Sequence, residues 1–122
     1  MSPHFDWFGR LMLLFAGLLG AGGVLAAAAG SHAGGDRVLG AVALIALTQA
    51  PAMLAFGLVS PAGRLLRARA ITIGAGACLF SGILAARQIL DIAILPMLAP
   101  AGATATVVGW ILVAIAGLVG RR

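Results

Sequence analysis

Thr48, Gln49 and Ser81 are polar side chains inside long apolar runs of this chain. Thr48 and Gln49 lie near the middle of the second run, beside Pro51. A proline removes one helical hydrogen bond and here frees the carbonyl of Leu47, so a kink is expected. We predict that Thr48 or Gln49 bonds that carbonyl or reaches across to Ser81. A ligand or quinone contact by Gln49 is the alternative, because polar groups inside a membrane are candidate functional residues.

Two further motifs lie at the ends of apolar runs. A lone histidine such as His32 is a weak candidate to bind haem or a chlorophyll magnesium. The other histidine, His4, is expected across the membrane, so we interpret His32 as a polar residue that caps a loop. Arg87 and Asp91 have the i, i+4 spacing of a helical ion pair and are predicted to pair at the membrane interface. Residues 92–98 either extend the third run or lie along the membrane surface.

Most enzyme chemistry has no matching pattern in the sequence. The chain contains no lysine and no tyrosine, and its single cysteine, Cys78, excludes an intrachain disulfide. The apolar runs hold no mid-run acid that could couple proton transfer, and no nucleophile has an adjacent histidine and acid. Metal sites need a cluster of ligands, which this pattern does not offer. We therefore predict no catalytic site, no metal and no cofactor.

Composition and hydropathy predict a membrane protein. Of 122 residues, 62% are hydrophobic and only 9% are charged, whereas soluble domains carry about 25% charged residues. Four apolar runs, about 11–29, 38–59, 70–90 and 100–119, each approach the roughly 20 residues that a transmembrane helix needs. We predict one domain over residues 1–122. Its fold class is all-α, with four transmembrane helices in an antiparallel up-down bundle.

The basic residues predict the orientation, because positive charge is retained on the cytoplasmic side. Six arginines and one aspartate are assigned to the side that holds both termini and the second loop. They are Arg10, Arg64, Arg67, Arg69, Arg121 and Arg122. Two arginines, each with an aspartate nearby, remain for the other side. Both termini are therefore predicted to be cytoplasmic, with the first run retained as a span. Because the charges flank spans, no nucleic-acid partner is expected. Arginine without lysine is typical of a GC-rich bacterium, and the predicted location is the bacterial cytoplasmic (inner) membrane.

Small residues recur every four positions in the apolar runs. The third run carries Ala70, Gly74, Cys78, Gly82 and Ala86, and the fourth carries Ala101, Ala105 and Gly109. Helices associate in lipid through such close backbone approach. The stripes therefore either pack the chain's own helices together or face a partner chain.

Several short segments together resemble a known family. Residues 27–33 (AAAGSHA), 79–82 (LFSG) and 99–102 (APAG), with Gly109-Trp110, are similar in order to landmarks of the domain-of-unknown-function 423 family, the YgdD-like or TMEM-type small membrane proteins. The resemblance covers about residues 11–120. It departs at 49–52 (QAPA), where the family usually has a Tyr-His pair, and at 102–103 (GA), where it tends to have two glycines. The resemblance implies a four-helix inner-membrane protein and supplies no reaction.

These observations favour a function through contacts within the bilayer. The predicted role is a non-catalytic accessory or assembly subunit packed against a larger membrane complex, respiratory or photosynthetic, with the lipid bilayer and other subunits or itself as partners. The alternative is a homo-oligomeric small transporter or channel, with Thr48, Gln49 and Ser81 along its path.

Overall fold

The computed structural model describes residues 6–32, 36–59, 61, 63–90 and 98–119, which form four helices. They are α1 (Trp7–His32), α2 (Arg37–Val59), α3 (Arg64–Leu90) and α4 (Leu98–Val119). All four are long and apolar enough to cross a membrane. Each predicted span therefore lies inside one helix. Asp91 and the segment 92–97 lie outside the described residues, so the structure places neither the Arg87–Asp91 pair nor that segment.

Two helices begin well before their apolar runs. α1 begins at Trp7 because the Asp6 Oδ1 accepts a hydrogen bond from the Gly9 amide, at 2.9 Å. This is a helix N-cap, in which a short polar side chain satisfies an amide of the first turn. α3 begins at Arg64, six residues before the apolar run. Arginine is a strong helix former, so the arginine-rich segment before residue 70 is helical although it is too polar to lie in lipid.

The core lies among the first three helices. α1 packs chiefly against α2, and α3 chiefly against α4, while α2 and α3 join the two pairs. The side chains of the main buried cluster are Phe8, Met12, Leu19, Ala46, Ala50, Met53, Ala70, Ile73 and Ala77. No member of that cluster comes from α4. The fourth helix is therefore attached to the side of a three-helix core.

Glycines allow α3 and α4 to approach until their backbones touch. A Cβ atom added at Gly76 would lie 2.6 Å from the Gly102 carbonyl oxygen, and one added at Gly102 would lie 2.7 Å from the Gly76 carbonyl oxygen. One turn further along α4, Thr106 is buried and its hydroxyl donates to the Gly102 carbonyl at 3.0 Å. Gly109 then packs against Ile73. We call these five residues the α3–α4 seam.

The predicted small-residue stripes coincide with these contacts only in part. Ala70 and Gly74 are buried, and a Cβ at Gly74 would meet Phe15 of α1 and Met53 of α2. Gly82 is exposed, with nothing within 4 Å of an added Cβ. The half-buried members are Cys78, Ala86 and Ala105, while Ala101 is exposed. The stripe on α3 thus packs within the protein at its start and is open at Gly82.

Candidate functional site

A small polar group joins α2 to α4 halfway along both helices. The Trp110 indole Nε1 donates a hydrogen bond to the Gln49 Oε1 at 2.7 Å. The Gln49 Nε2 donates to the Thr48 hydroxyl at 3.2 Å, and that hydroxyl donates to the Ile45 carbonyl at 3.0 Å. We call Thr48, Gln49 and Trp110 the mid-span polar group.

This arrangement differs from the predicted one around Pro51. α2 is helical throughout Arg37–Val59, with Pro51 inside it. Within this fully described region, neither Thr48 nor Gln49 bonds the Leu47 carbonyl or Ser81. The prediction was therefore wrong about the partner, because the Gln49 Nε2 donates to Thr48 and the Gln49 Oε1 accepts from a tryptophan of the fourth helix. The sequence prediction did not include Trp110, although the indole N–H of a tryptophan in mid-span needs a hydrogen-bond acceptor.

The mid-span polar group is partly open to the surroundings. Thr48 is exposed, and Trp110 keeps 37% of its surface exposed. A glutamine amide carries two N–H donors, and in the described part of the chain only one of them, the bond to Thr48, has an acceptor. Gln49 itself is half-buried. An N–H that stays unsatisfied in hydrocarbon costs several kcal/mol, because lipid offers no hydrogen-bond partner.

Below this group, an apolar groove lies between α2, Leu66 of α3 and Trp110 of α4. Phe56 and Trp110 meet across it with ring centroids 6.4 Å apart. The groove has a volume of about 280 Å³. Its lining residues are Ala52, Ala55, Phe56, Val59, Pro61, Leu66 and Trp110. Trp110 therefore belongs both to the polar group and to the wall of the groove.

Ser81 lies elsewhere in the fold. It is only 8% exposed, and its hydroxyl oxygen has no hydrogen-bond partner among the described residues. An orphaned buried hydroxyl costs about 1–3 kcal/mol. Ser81 lines a cavity between α1, α2 and α3 that neither Thr48 nor Gln49 lines. The three predicted polar residues are thus divided between two sites.

Arg67, near the start of α3, connects this helix to the start of α1. Its Nη2 donates to the Asp6 Oδ2 at 2.6 Å, and its Nε donates to the Pro61 carbonyl at 2.6 Å. The guanidinium also lies 5.0 Å from the ring centroid of the fully buried Phe8 and 5.7 Å from that of Trp7. A planar guanidinium can both donate in a fork and stack on aromatic rings, whereas lysine offers only a point charge. The sequence predicted for Arg67 only a place on the cytoplasmic side and not these contacts.

Asp36 makes an analogous connection at the other end of α3. Its Oδ1 accepts from the amides of Val38 and Leu39, at 2.8 and 3.1 Å, and so caps α2. Its Oδ2 accepts from the Gln88 Nε2 at 2.7 Å. The bond from the Leu39 amide is the largest effect on the pKa of the Asp36 carboxyl and lowers it; desolvation, the next largest, raises it, and the bonds from Gln88 and Val38 lower it further, so that the pKa lies below its usual value. Each aspartate therefore caps a helix with one oxygen and contacts α3 with the other.

The remaining predicted site residues are peripheral. His32 is the last residue of α1 and is exposed, in the turn where a basic side chain suits the helix dipole. Arg87 is exposed in the last turn of α3. Across the described ranges, no three His, Cys, Asp or Glu residues come close enough together to hold a metal ion.

No family model, curated protein or solved structure matches the chain. The resemblance to the domain-of-unknown-function 423 family therefore stays a prediction.

Proposed function

We propose that this chain is a non-catalytic accessory or assembly subunit that packs, within a bacterial cytoplasmic membrane, against a larger respiratory or photosynthetic membrane complex. The observation that supports this best is the exposure of the mid-span polar group. Thr48 and Gln49 lie at the middle of α2, and Trp110 at the middle of α4. Both helices are thus polar at the depth where the surrounding lipid is least able to bond them.

The unsatisfied N–H of Gln49 favours a partner that offers an oxygen acceptor. Polar side chains bond across helices in membranes, and such bonds contribute about 0.6–2 kcal/mol each. A partner helix seated beside the group would also cover the exposed hydroxyl of Thr48. We therefore propose that the docking face comprises the mid-span polar group and the apolar groove below it, with Phe56 on its wall.

Capture of the intact chain from native membranes tests this role. The tagged protein is solubilised mildly, and the proteins that migrate with it are identified by mass spectrometry. We expect a stoichiometric large complex that is lost with Gln49→Met, which keeps the length of the side chain and removes its donors. The matched control is Thr104→Val, which removes an exposed hydroxyl from α4 outside the group. An isolated monomer, or equal capture with Gln49→Met, would contradict the proposal.

A lone homo-oligomer would instead favour a transporter or channel. This alternative is favoured because the unused N–H of Gln49 could donate to the side-chain oxygen of Gln49 in a second copy of the chain. A path made by one chain is not supported, because Ser81 and Gln49 line different sites. In liposomes, Gln49→Leu would then abolish flux, and unchanged flux would exclude a path at this residue.

We also propose an antiparallel arrangement with both termini cytoplasmic. The pairing order along the helices supports it, since Gly57 of α2 approaches Gly9 of α1 while Gly30 of α1 approaches Leu39 of α2. The Arg67–Asp6 ion pair supports a shared side for the N-terminus and the second loop. Accessibility of single cysteines introduced at residues 63 and 36, in a Cys78→Ala background, tests the orientation. We expect labelling from the cytoplasmic side only at 63.

A further inference from the structure

Ser81 differs from the buried or half-buried threonines of α3 and α4 in the way its hydroxyl is used. The Thr72 hydroxyl donates to the Ala68 carbonyl at 2.9 Å, and Thr106 donates to Gly102 at 3.0 Å. Each hydroxyl thus donates to a backbone carbonyl one turn back on its own helix, as serine and threonine hydroxyls commonly do in helices. Ser81 makes no such bond among the residues that the structure describes, although it is nine-tenths buried.

The cavity that Ser81 lines is a slot with a buried floor and an open side. Leu19 of α1, with Val42 and Ala46 of α2, forms the floor and is buried. The open side lies between α1 and α3, where Gly22 and Gly82 are exposed. The missing side chains of these two glycines keep the slot open, since nothing lies within 4 Å of a Cβ built on either. In a membrane, this side faces lipid.

The volume and lining of the slot set the class of molecule that fits. It holds about 240 Å³, more than the roughly 150 Å³ cavity that accepts benzene and less than a typical pocket of about 300–1,000 Å³. One ring or a length of alkyl chain fits, and the rest of the molecule would remain in the lipid. The lining residues are apolar except for Ser81 and Cys78.

We propose that this slot, the Ser81 cavity, binds a membrane-dissolved molecule with a slender apolar body and a carbonyl oxygen that accepts the hydrogen bond of Ser81. The ester carbonyl of an acyl lipid and the ring carbonyl of a quinone share this chemistry. The bond would satisfy the one orphaned buried hydroxyl among the described residues. The site is separate from the proposed docking face, so either proposal can fail without the other.

Binding to the full chain in detergent tests the proposal with two probes. Native mass spectrometry detects retained phosphatidylglycerol, and equilibrium binding measures decylubiquinone. Protection of Cys78 from N-ethylmaleimide gives a second readout, because it is the single cysteine of the chain and lines the same cavity. Saturable binding of decylubiquinone identifies a quinone site, whereas retention of phosphatidylglycerol alone identifies an acyl-lipid site. If neither probe binds the wild-type chain, the proposal is overturned.

Three variants separate binding in the slot from general adsorption. Ser81→Ala should weaken binding roughly three- to tenfold, as the loss of one hydrogen bond predicts. Gly22→Leu should abolish it by filling the slot. Gly17→Leu is the matched control, because Gly17 is an exposed α1 glycine with the same free space outside the slot. Equal loss with both leucine variants would refute the site.

The melting temperature distinguishes a ligand-binding hydroxyl from a structural one. If Ser81 serves a ligand, the ligand-free Ser81→Ala variant should melt at or above the wild-type temperature, since it loses only an unsatisfied group. A clear fall in the melting temperature would assign Ser81 to packing and overturn the proposal.

Discussion

Alanine at Gly102 should push α4 away from α3. Its Cβ would lie 2.7 Å from both the Gly76 carbonyl oxygen and the Phe80 amide nitrogen, about 0.7 Å short of ordinary van der Waals contact at 3.4 Å. Both obstacles are backbone atoms, so a side-chain rotation cannot relieve them and the helix itself must shift. Overpacking of this kind costs about 1–3 kcal/mol, offset by about 0.5–1 kcal/mol from the better helix propensity of alanine. We expect a net loss of up to about 2.5 kcal/mol in the free energy of unfolding.

Equilibrium unfolding in mixed micelles of dodecyl maltoside and dodecyl sulfate, followed by circular dichroism, measures this change. Gly82→Ala is the matched control on α3, because nothing lies within 4 Å of its added Cβ. It should stabilise the chain by about 0.5–1 kcal/mol through helix propensity alone. Equal effects of the two substitutions would show that α3 and α4 do not touch at the seam.

Three further perturbations follow from the polar contacts. Arg67→Lys should cost about 1–2 kcal/mol, because lysine keeps the charge opposite Asp6 but loses the fork, and amide hydrogen exchange should quicken in the first turn of α1. The pKa of Asp36 is lowered from 3.8, so its contribution to stability is present above that pH and lost as the pH falls through the lower folded-state pKa. Thermal melting between pH 6 and pH 2.5 should show this loss, and Asp36→Asn should lack that part of it. Trp110→Phe removes the donor to Gln49, and faster proteolysis near α4 without any change in α1 is the expected result, whereas unchanged proteolysis would mean that the bond does not hold α4.

The four spans were predictable because their signal is local. The length and apolarity of a run decide whether it can cross a membrane, and each of the four runs lies inside a helix that is long and apolar enough to do so. The helix starts were less accessible to that reasoning. A hydropathy pattern places the end of a span at the first charged residue. The helices nevertheless start earlier, because Asp6 caps α1 and the arginines after residue 63 favour helix in α3.

Contacts between helices were harder to predict, because the sequence does not determine how each helix is rotated. The stripe predicted on α4 used Ala101, Ala105 and Gly109, whereas the buried positions are Gly102, Thr106 and Gly109. The two sets share Gly109 and otherwise differ by one residue, about 100° around a helix. Counting threonine as a small residue, with a spacing of four and then three, would have found the seam.

The two capping aspartates impose an order on assembly. Asp6 and Asp36 each contact α3, through Arg67 at its start and Gln88 near its end. During synthesis the first two helices exist before either contact can form, and the second contact must wait until residue 88 has been made. The synthesis of α3 is therefore the step that allows both ends of the α1–α2 pair to be held in place. Chains ended after Val59 should show fast amide exchange at the starts of α1 and α2, and chains that include α3 should show slow exchange at both.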